Sequence, residues 1–216
     1  MGVMTLQLFQ EYLDSQKKPE RFKIRDLDQD TVKKMLSLSY QNEVSKRRMA
    51  FIGDSVVLDN IQKVAKWLTG DYKCCLMVYG SVGNGKTTLL KAVNSLLNAL
   101  DMDKHWGDRK AKEFVSAIDI YNIAKSDNEK KYDSIKECDL LFIDDLGVEP
   151  VTAKVWGNEI SPITDILYYR YDNQLFTVVS SNLSDSALKE RYGERIASRM
   201  DEMFECIHFS GESYRK

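Results

Sequence analysis

Eight residues constrain this chain more than any others: Gly80-Ser81-Val82-Gly83-Asn84-Gly85-Lys86-Thr87 reads G-x-x-x-x-G-K-[ST]. The run follows an apolar segment, Cys74 to Tyr79, and opens an amphipathic one, Lys86 to Leu97. A strand, a glycine-rich loop and a helix in that order form a phosphate cradle. The glycines let successive backbone N–H groups turn toward one anion, and the helix N-terminus adds its partial positive charge. Gly80, Ser81, Val82, Gly83, Asn84 and Gly85 are the expected loop. Lys86 is expected to reach the β- and γ-phosphates of a nucleotide, Thr87 to offer a hydroxyl to Mg²⁺, and Thr88 to meet the α-phosphate.

A second apolar run, Leu140 to Ile143, ends in Asp144-Asp145. Such a run buries a strand and delivers two carboxylates at its C-terminal tip, the Walker B pattern. Asp144 is expected to hold Mg²⁺ through water and Asp145 to orient the attacking water. Lys86 and Asp144 lie 58 positions apart, with a helix, a candidate strand at Phe114 to Ala117 and further helix between them. That spacing allows a strand to sit between the two motif strands.

The surrounding texture of short apolar runs alternating with amphipathic stretches predicts an α/β fold with a parallel sheet. Five strands are expected, at Cys74–Tyr79, Phe114–Ala117, Leu140–Ile143, Leu175–Ser180 and Cys206–Phe209. Helices are expected near Lys86–Leu97, Asn158–Asn173, Ser184–Tyr192 and Glu194–Phe204. Ahead of them, Leu6, Phe9 and Leu13 share one helical face, and Lys17-Lys18-Pro19 reads as a hinge. Asp30 or Thr31 can cap a second helix running toward Met49. Val57, Ile61, Val64 and Leu68 mark a third, capped by Asp54 or Ser55 and stopped by Gly70. Residues 1–50 therefore read as a short helical N-terminal extension and 51–216 as the main domain.

Lys+Arg 31 against Asp+Glu 33 gives a net charge of −2, which excludes a surface that clamps nucleic acid everywhere by charge. The four cysteines form no C-x-x-C pair and the two histidines stand far apart, which argues against zinc. The apolar run around Cys74 is six residues, against roughly 20 for a membrane span. No membrane role and a cytoplasmic location are expected.

The combination resembles the helicase-loader branch of the AAA+ ATPases, the DnaC/DnaI-like proteins and the related IstB-like transposition helpers. The likeness rests on the glycine loop, Leu140 to Glu149 (LLFIDDLGVE), Val178 to Ser184 (VVSSNLS), Tyr192 to Met200 (YGERIASRM) and the terminal Ser213-Tyr214-Arg215, and spans roughly residues 50 to 215. It implies a five-stranded P-loop ATPase core without a C-terminal helical lid. It also implies that Asn182 is sensor 1, reading the γ-phosphate. Arg199 becomes the arginine finger acting in a neighbouring subunit, with Arg195 as runner-up. The implied activity is hydrolysis of ATP to ADP and phosphate. Because Asp145 stands where AAA+ proteins usually carry glutamate, an aspartate that loaders often have, that hydrolysis is expected to be slow and stimulated by assembly or DNA.

The implied partners are single-stranded DNA, a replicative helicase or a transposase, and further copies in a nucleotide-dependent homo-oligomer. Lys125, Lys130 and Lys131, after the second strand, are the DNA-contact candidates. Arg109, Lys110 and Lys112, and Lys46-Arg47-Arg48, form further basic clusters. Adenine contacts are expected near Phe51 and Ile52. Two other classes compete: a GTPase, through D-x-x-G at Asp144 to Gly147 and Asn182-Leu183-Ser184-Asp185, and a small-molecule P-loop kinase.

Overall fold

The computed structural model describes residues 5–15, 22–100, 112–126, 128–155, 157–211 and 213–214. Arg109, Lys110 and Arg215 from the sequence reading, with the hinge at Lys17-Lys18-Pro19, lie outside them. Helix α1 is Leu6–Ser15, α2 Gln29–Ser45 and α3 Ser55–Thr69; strand β1 (Cys75–Gly80) follows, then α4 (Lys86–Ala99). Next come β2 (Glu113–Ser116), α5 (Ala117–Lys125), α6 (Glu129–Glu137) and β3 (Leu140–Leu146). A small hairpin, β4 (Ala153–Val155) and β5 (Asn158–Ile160), leads to α7 (Pro162–Asp172) and β6 (Phe176–Ser181). Helices α8 (Asp185–Tyr192) and α9 (Glu194–Met203) and strand β7 (Phe204–Phe209) complete the order.

The main sheet runs β2-β3-β6-β1-β7, and its pairings are all parallel. A strand does lie between the two motif strands β1 and β3, but it is β6. The segment at 113–116 instead pairs only beyond β3, at the sheet edge. Parallel pairing places the C-terminal tips of β1, β3 and β6 on one rim, where ligands of open α/β sheets collect.

Alternation along each strand feeds two cores. Leu76 and Val78 of β1, Phe142 of β3 and Val178 of β6 face a layer built by α2, α3 and α4. Cys75, Met77, Leu141, Ile143 and Val179 face the layer of α5, α7 and α9. Helix α2, which falls within 1–50, buries Val32, Leu36 and Tyr40 in the first of these cores.

Several boundaries differ from expectation for identifiable reasons. The N-cap of α2 is Asp28, whose carboxylate accepts the Thr31 N–H, so Asp30 and Thr31 lie inside the first turn. Residues 158–160 form β5 rather than helix, and α7 begins at Pro162, whose fixed φ and missing N–H suit the first helical position. Of the two expected caps of α3, Asp54 serves and Ser55 is the first helical residue; the helix ends at Gly70.

Arg170 of α7 is wholly buried between the layers. Its Nε donates to Thr177 Oγ1 (2.7 Å), Nη1 to the carbonyls of Lys136 (3.1 Å) and Cys138 (2.7 Å), and Nη2 to Phe176 O (2.5 Å). Burial pulls its pKa down, a trend that neighbouring groups partly oppose. One side chain thus ties α7 to β6 and to the turn before β3. Among the described residues, no helix is long and apolar enough to cross a membrane, and no helix follows β7.

Candidate nucleotide site

The glycine loop joins β1 to α4 and bounds a cleft of about 220 Å³. Gly85 occupies the N-cap position of α4 at φ 96°, and no side chain caps the helix. The N-terminal N–H groups of α4 are therefore not claimed by a capping side chain. A side chain at position 85 would also run into the Tyr40 hydroxyl, so both the dihedral and the space require glycine.

Lys86 is 5% exposed, and its ammonium donates to Gly80 O (2.9 Å), Ser81 O (2.6 Å) and Asn84 Oδ1 (3.0 Å). Asn84 in turn donates through Nδ2 to Phe209 O at 2.8 Å, so it braces the loop against the end of β7. Val82, Gly83, Asn84, Gly85, Lys86, Thr87 and Thr88 line the cleft. Gly80 and Ser81 serve from behind it, and the Ser81 hydroxyl donates to Gly211 O. Thr88 is almost wholly buried beside Tyr40, whose hydroxyl it contacts by a hydrogen bond. Burial pushes the Tyr40 phenol up to about 12.

The Walker B residues arrive through an irregular strand end. Ile143 pairs with Val179 but Leu146 pairs with Ser181, so β3 carries one extra residue there, and Asp145 adopts φ 55°. Asp144 Oδ1 accepts hydrogen bonds from Thr87 Oγ1 (2.9 Å) and Ser180 Oγ (2.6 Å). The Ser180 hydroxyl also receives the Asp145 N–H at 2.9 Å, so it bridges both aspartates. Asp145 lines the cleft and accepts from Asn182 Nδ2 at 3.4 Å.

Lys86, Thr87, Thr88, Asp145 and Asn182 therefore converge on one cleft, with Asp144 one hydrogen bond behind. Thr87 and Asp144 present adjacent oxygen donors, the ligand type Mg²⁺ takes when phosphates and water supply the rest of its shell. Phe51 and Ile52 line the same cleft, together with Tyr40, Arg47 and Tyr214.

Arg195 and Arg199 do not line it. Arg195 is exposed on α9, and the Arg199 guanidinium lies 4.5 Å from the Tyr168 ring centroid and 5.3 Å from that of Tyr171. The basic candidates are dispersed as well. Lys130 is exposed, Lys131 is ion-paired with Glu113 (2.7 Å), and Lys125 lies over the Tyr121 ring. Lys112 reaches Asn94 O and Asn98 of α4, and Lys46 pairs with Glu43.

Three contributors escaped the sequence reading as site residues: Tyr40, Tyr214 and Ser180. Tyr214 donates its N–H to Gly83 O (3.0 Å) and its hydroxyl to Asp54 Oδ2 (2.7 Å), so the segment after β7 folds over the loop. Ser180 stands in the VVSSNLS run and Tyr214 in the terminal Ser213-Tyr214-Arg215, both part of the resemblance, whereas Tyr40 has no local signal.

No curated protein matches the chain. Among solved structures, the chain is similar to DnaI, at 21% identity and a TM-score of 0.59, over 90% of this chain and 97% of that one. It is also similar to AMPPCP-bound DnaA from Aquifex aeolicus, at 22% identity and a TM-score of 0.51, over 75% of this chain and 49% of that one. At such identities the likeness is one of fold: the α/β P-loop architecture of AAA+ ATPases, a five-stranded parallel sheet flanked by helices. The family described as the bacterial DnaA ATPase domain matches residues 50–206, well over half of the sequence, and the chain belongs to that family.

Proposed function

We propose that this protein binds ATP with Mg²⁺ in the cleft and hydrolyses it in the service of DNA replication, as a loader that acts with single-stranded DNA and a replicative helicase. The observation that carries the reading is the convergence of Lys86, Thr87, Asp145 and Asn182 on one cleft, with Asp144 bonded to Thr87. Lys86 exchanges its loop carbonyls for phosphate oxygens, and the α4 N-terminus receives the adjacent phosphate. Thr87 and Asp144 would hold Mg²⁺, which when bound neutralises charge on the β- and γ-phosphates. Asp145 orients the attacking water, and Asn182, bonded to it, reads the γ-phosphate.

Arg199 cannot serve the cleft of its own chain from its place on α9. Its role as arginine finger therefore calls for a second copy, in a nucleotide-dependent homo-oligomer. Residues 51–216 are the ATPase domain in this reading, and 1–50 reach the partner through α1, where Leu6, Phe9 and Leu13 are exposed. The protein works in the cytoplasm.

The test is ATP hydrolysis as a function of protein concentration, with and without single-stranded DNA, for wild type beside Arg199→Ala. Specific activity that rises with concentration or DNA, and stays flat in the variant, supports the reading. Activity constant per molecule and indifferent to DNA and Arg199 overturns it.

A further inference from the structure

Glu149 plays no part in the site described above, yet its side chain is 1% exposed. A carboxylate taken out of water survives only among donors. Here Oε2 accepts the Gly147 N–H at 2.9 Å, and Oε1 accepts the Tyr192 hydroxyl. The Arg191 guanidinium completes the shell, with Nε 3.9 Å from Oε1 and Nη2 donating to the Glu149 carbonyl. Burial, reinforced by the Glu149 charge, pushes the Tyr192 phenol far above its ordinary value, so it stays a donor at any working pH.

The two sides of this carboxylate differ. On one side lies the turn that follows Asp145, closed by the Val148 N–H on Asp145 O at 3.3 Å. Gly147 turns there at φ 100°, and a Cβ would stand 2.5 Å from Leu183 Cδ1, so the turn packs directly beside Asn182-Leu183. On the other side lies the end of α8. Only Gly193 separates Tyr192 from α9, the helix that carries Arg195 and Arg199.

We propose that Glu149 is a positioning residue that sets the Asp145 turn within its own subunit and the α9 arginines toward the next one. This rests on the shared-site reading above. A single buried group then fixes both the hydrolytic edge of one cleft and the arginine edge offered to its neighbour.

The experiment uses the full chain carrying Glu149→Gln, and Tyr192→Phe as a milder variant that removes one hydroxyl. Equilibrium ATP binding is expected to stay within about threefold of wild type while kcat falls about tenfold in Glu149→Gln and about threefold in Tyr192→Phe. The second readout is a mixture of Lys86→Ala subunits, whose own cleft is dead, with Arg199→Ala subunits, whose α9 lacks the finger. Hydrolysis regained by that mixture is expected to fall several-fold when Glu149→Gln is added to the Lys86→Ala partner alone. A role confined to stabilising the cleft would not move that rate.

Unchanged kcat in both variants overturns the proposal, as does a loss of ATP binding in step with kcat. If Glu149→Gln does not fold, Tyr192→Phe decides. A parent mixture that regains no hydrolysis overturns the shared-site reading and the α9 half of this proposal with it. The kcat of Glu149→Gln in the otherwise unaltered chain still decides the Asp145 half.

Discussion

Thr87 and Asp144, 57 positions apart in the chain, are joined by a 2.9 Å hydrogen bond, and Ser180 donates at 2.6 Å to the same carboxylate oxygen. Two hydroxyls therefore aim one carboxylate. Ser180 is the more informative to remove, because it also receives the Asp145 N–H. Ser180→Ala is expected to lower kcat by about tenfold, as loss of an orienting partner does at metal sites. Stability should fall by about 1 kcal/mol, with metal-free ATP affinity unchanged. Steady-state kinetics with urea unfolding checks this, and an unaltered kcat contradicts it.

Asn182 reaches Asp145 at 3.4 Å and lines the cleft. Asn182→Ala is expected to bind ATP as wild type does and to lose about a hundredfold in kcat, the scale of a single preorganised donor. Equilibrium binding beside single-turnover hydrolysis separates the two effects. A matching loss of affinity would place Asn182 in ground-state binding instead.

Asp54 couples stability to pH. The Val57 N–H and the Tyr214 hydroxyl hold its carboxyl below the ordinary 3.8. A folded pKa below the unfolded one means that the stabilisation is fully present above the unfolded value and is lost as pH falls through the folded one. Tyr214→Phe should therefore lower stability at pH 7, by an amount that shrinks as the pH is taken below 3.8. Urea unfolding of both proteins across that range measures it, and a difference independent of pH contradicts it.

Arg170 fills its donors with buried oxygen. Arg170→Met leaves those acceptors stranded and is expected to destabilise by about 3 kcal/mol or more. Arg170→Lys should not restore the loss, because an ammonium cannot reproduce the guanidinium's planar fork. Urea unfolding decides, and a change below about 1 kcal/mol contradicts it.

Lys130 is the one of the three lysines proposed to meet DNA that is exposed and carries no pairing described above. Lys130→Glu should weaken binding to single-stranded DNA and reduce the salt slope by about one, as loss of a phosphate contact does. Titrations at several salt concentrations test this. An unchanged slope removes Lys130 from the interface.

What the sequence made legible was whatever local chemistry enforces. The glycine loop, the apolar run into Asp144-Asp145 and the Asp54 cap each need only a few neighbouring residues, and all three stand where they were expected. The hairpin at 153–160 was hidden because its strands are three residues each, too short to show a period against a helical template. A strand does sit between β1 and β3, but the motif spacing does not say which: it is β6 and not the segment at 113–116, because chain order does not dictate sheet order. Arg170 reads as an exposed helix residue by composition, and nothing local announces that Lys136, Cys138 and Phe176 will surround it. Glu149 and Tyr192 meet across 43 positions, a distance over which no motif speaks.

The extra residue in β3 has a consequence for reach. In a regular strand adjacent side chains leave opposite faces, so one of two neighbouring carboxylates would point away from the nucleotide. The left-handed turn at Asp145 breaks that alternation: Asp145 lines the cleft, and Asp144 lies one hydrogen bond behind it on Thr87. Where a longer acid would extend by a methylene, this chain extends by a bend of its backbone. The reach of this acidic pair is thus set by a dihedral angle at Asp145.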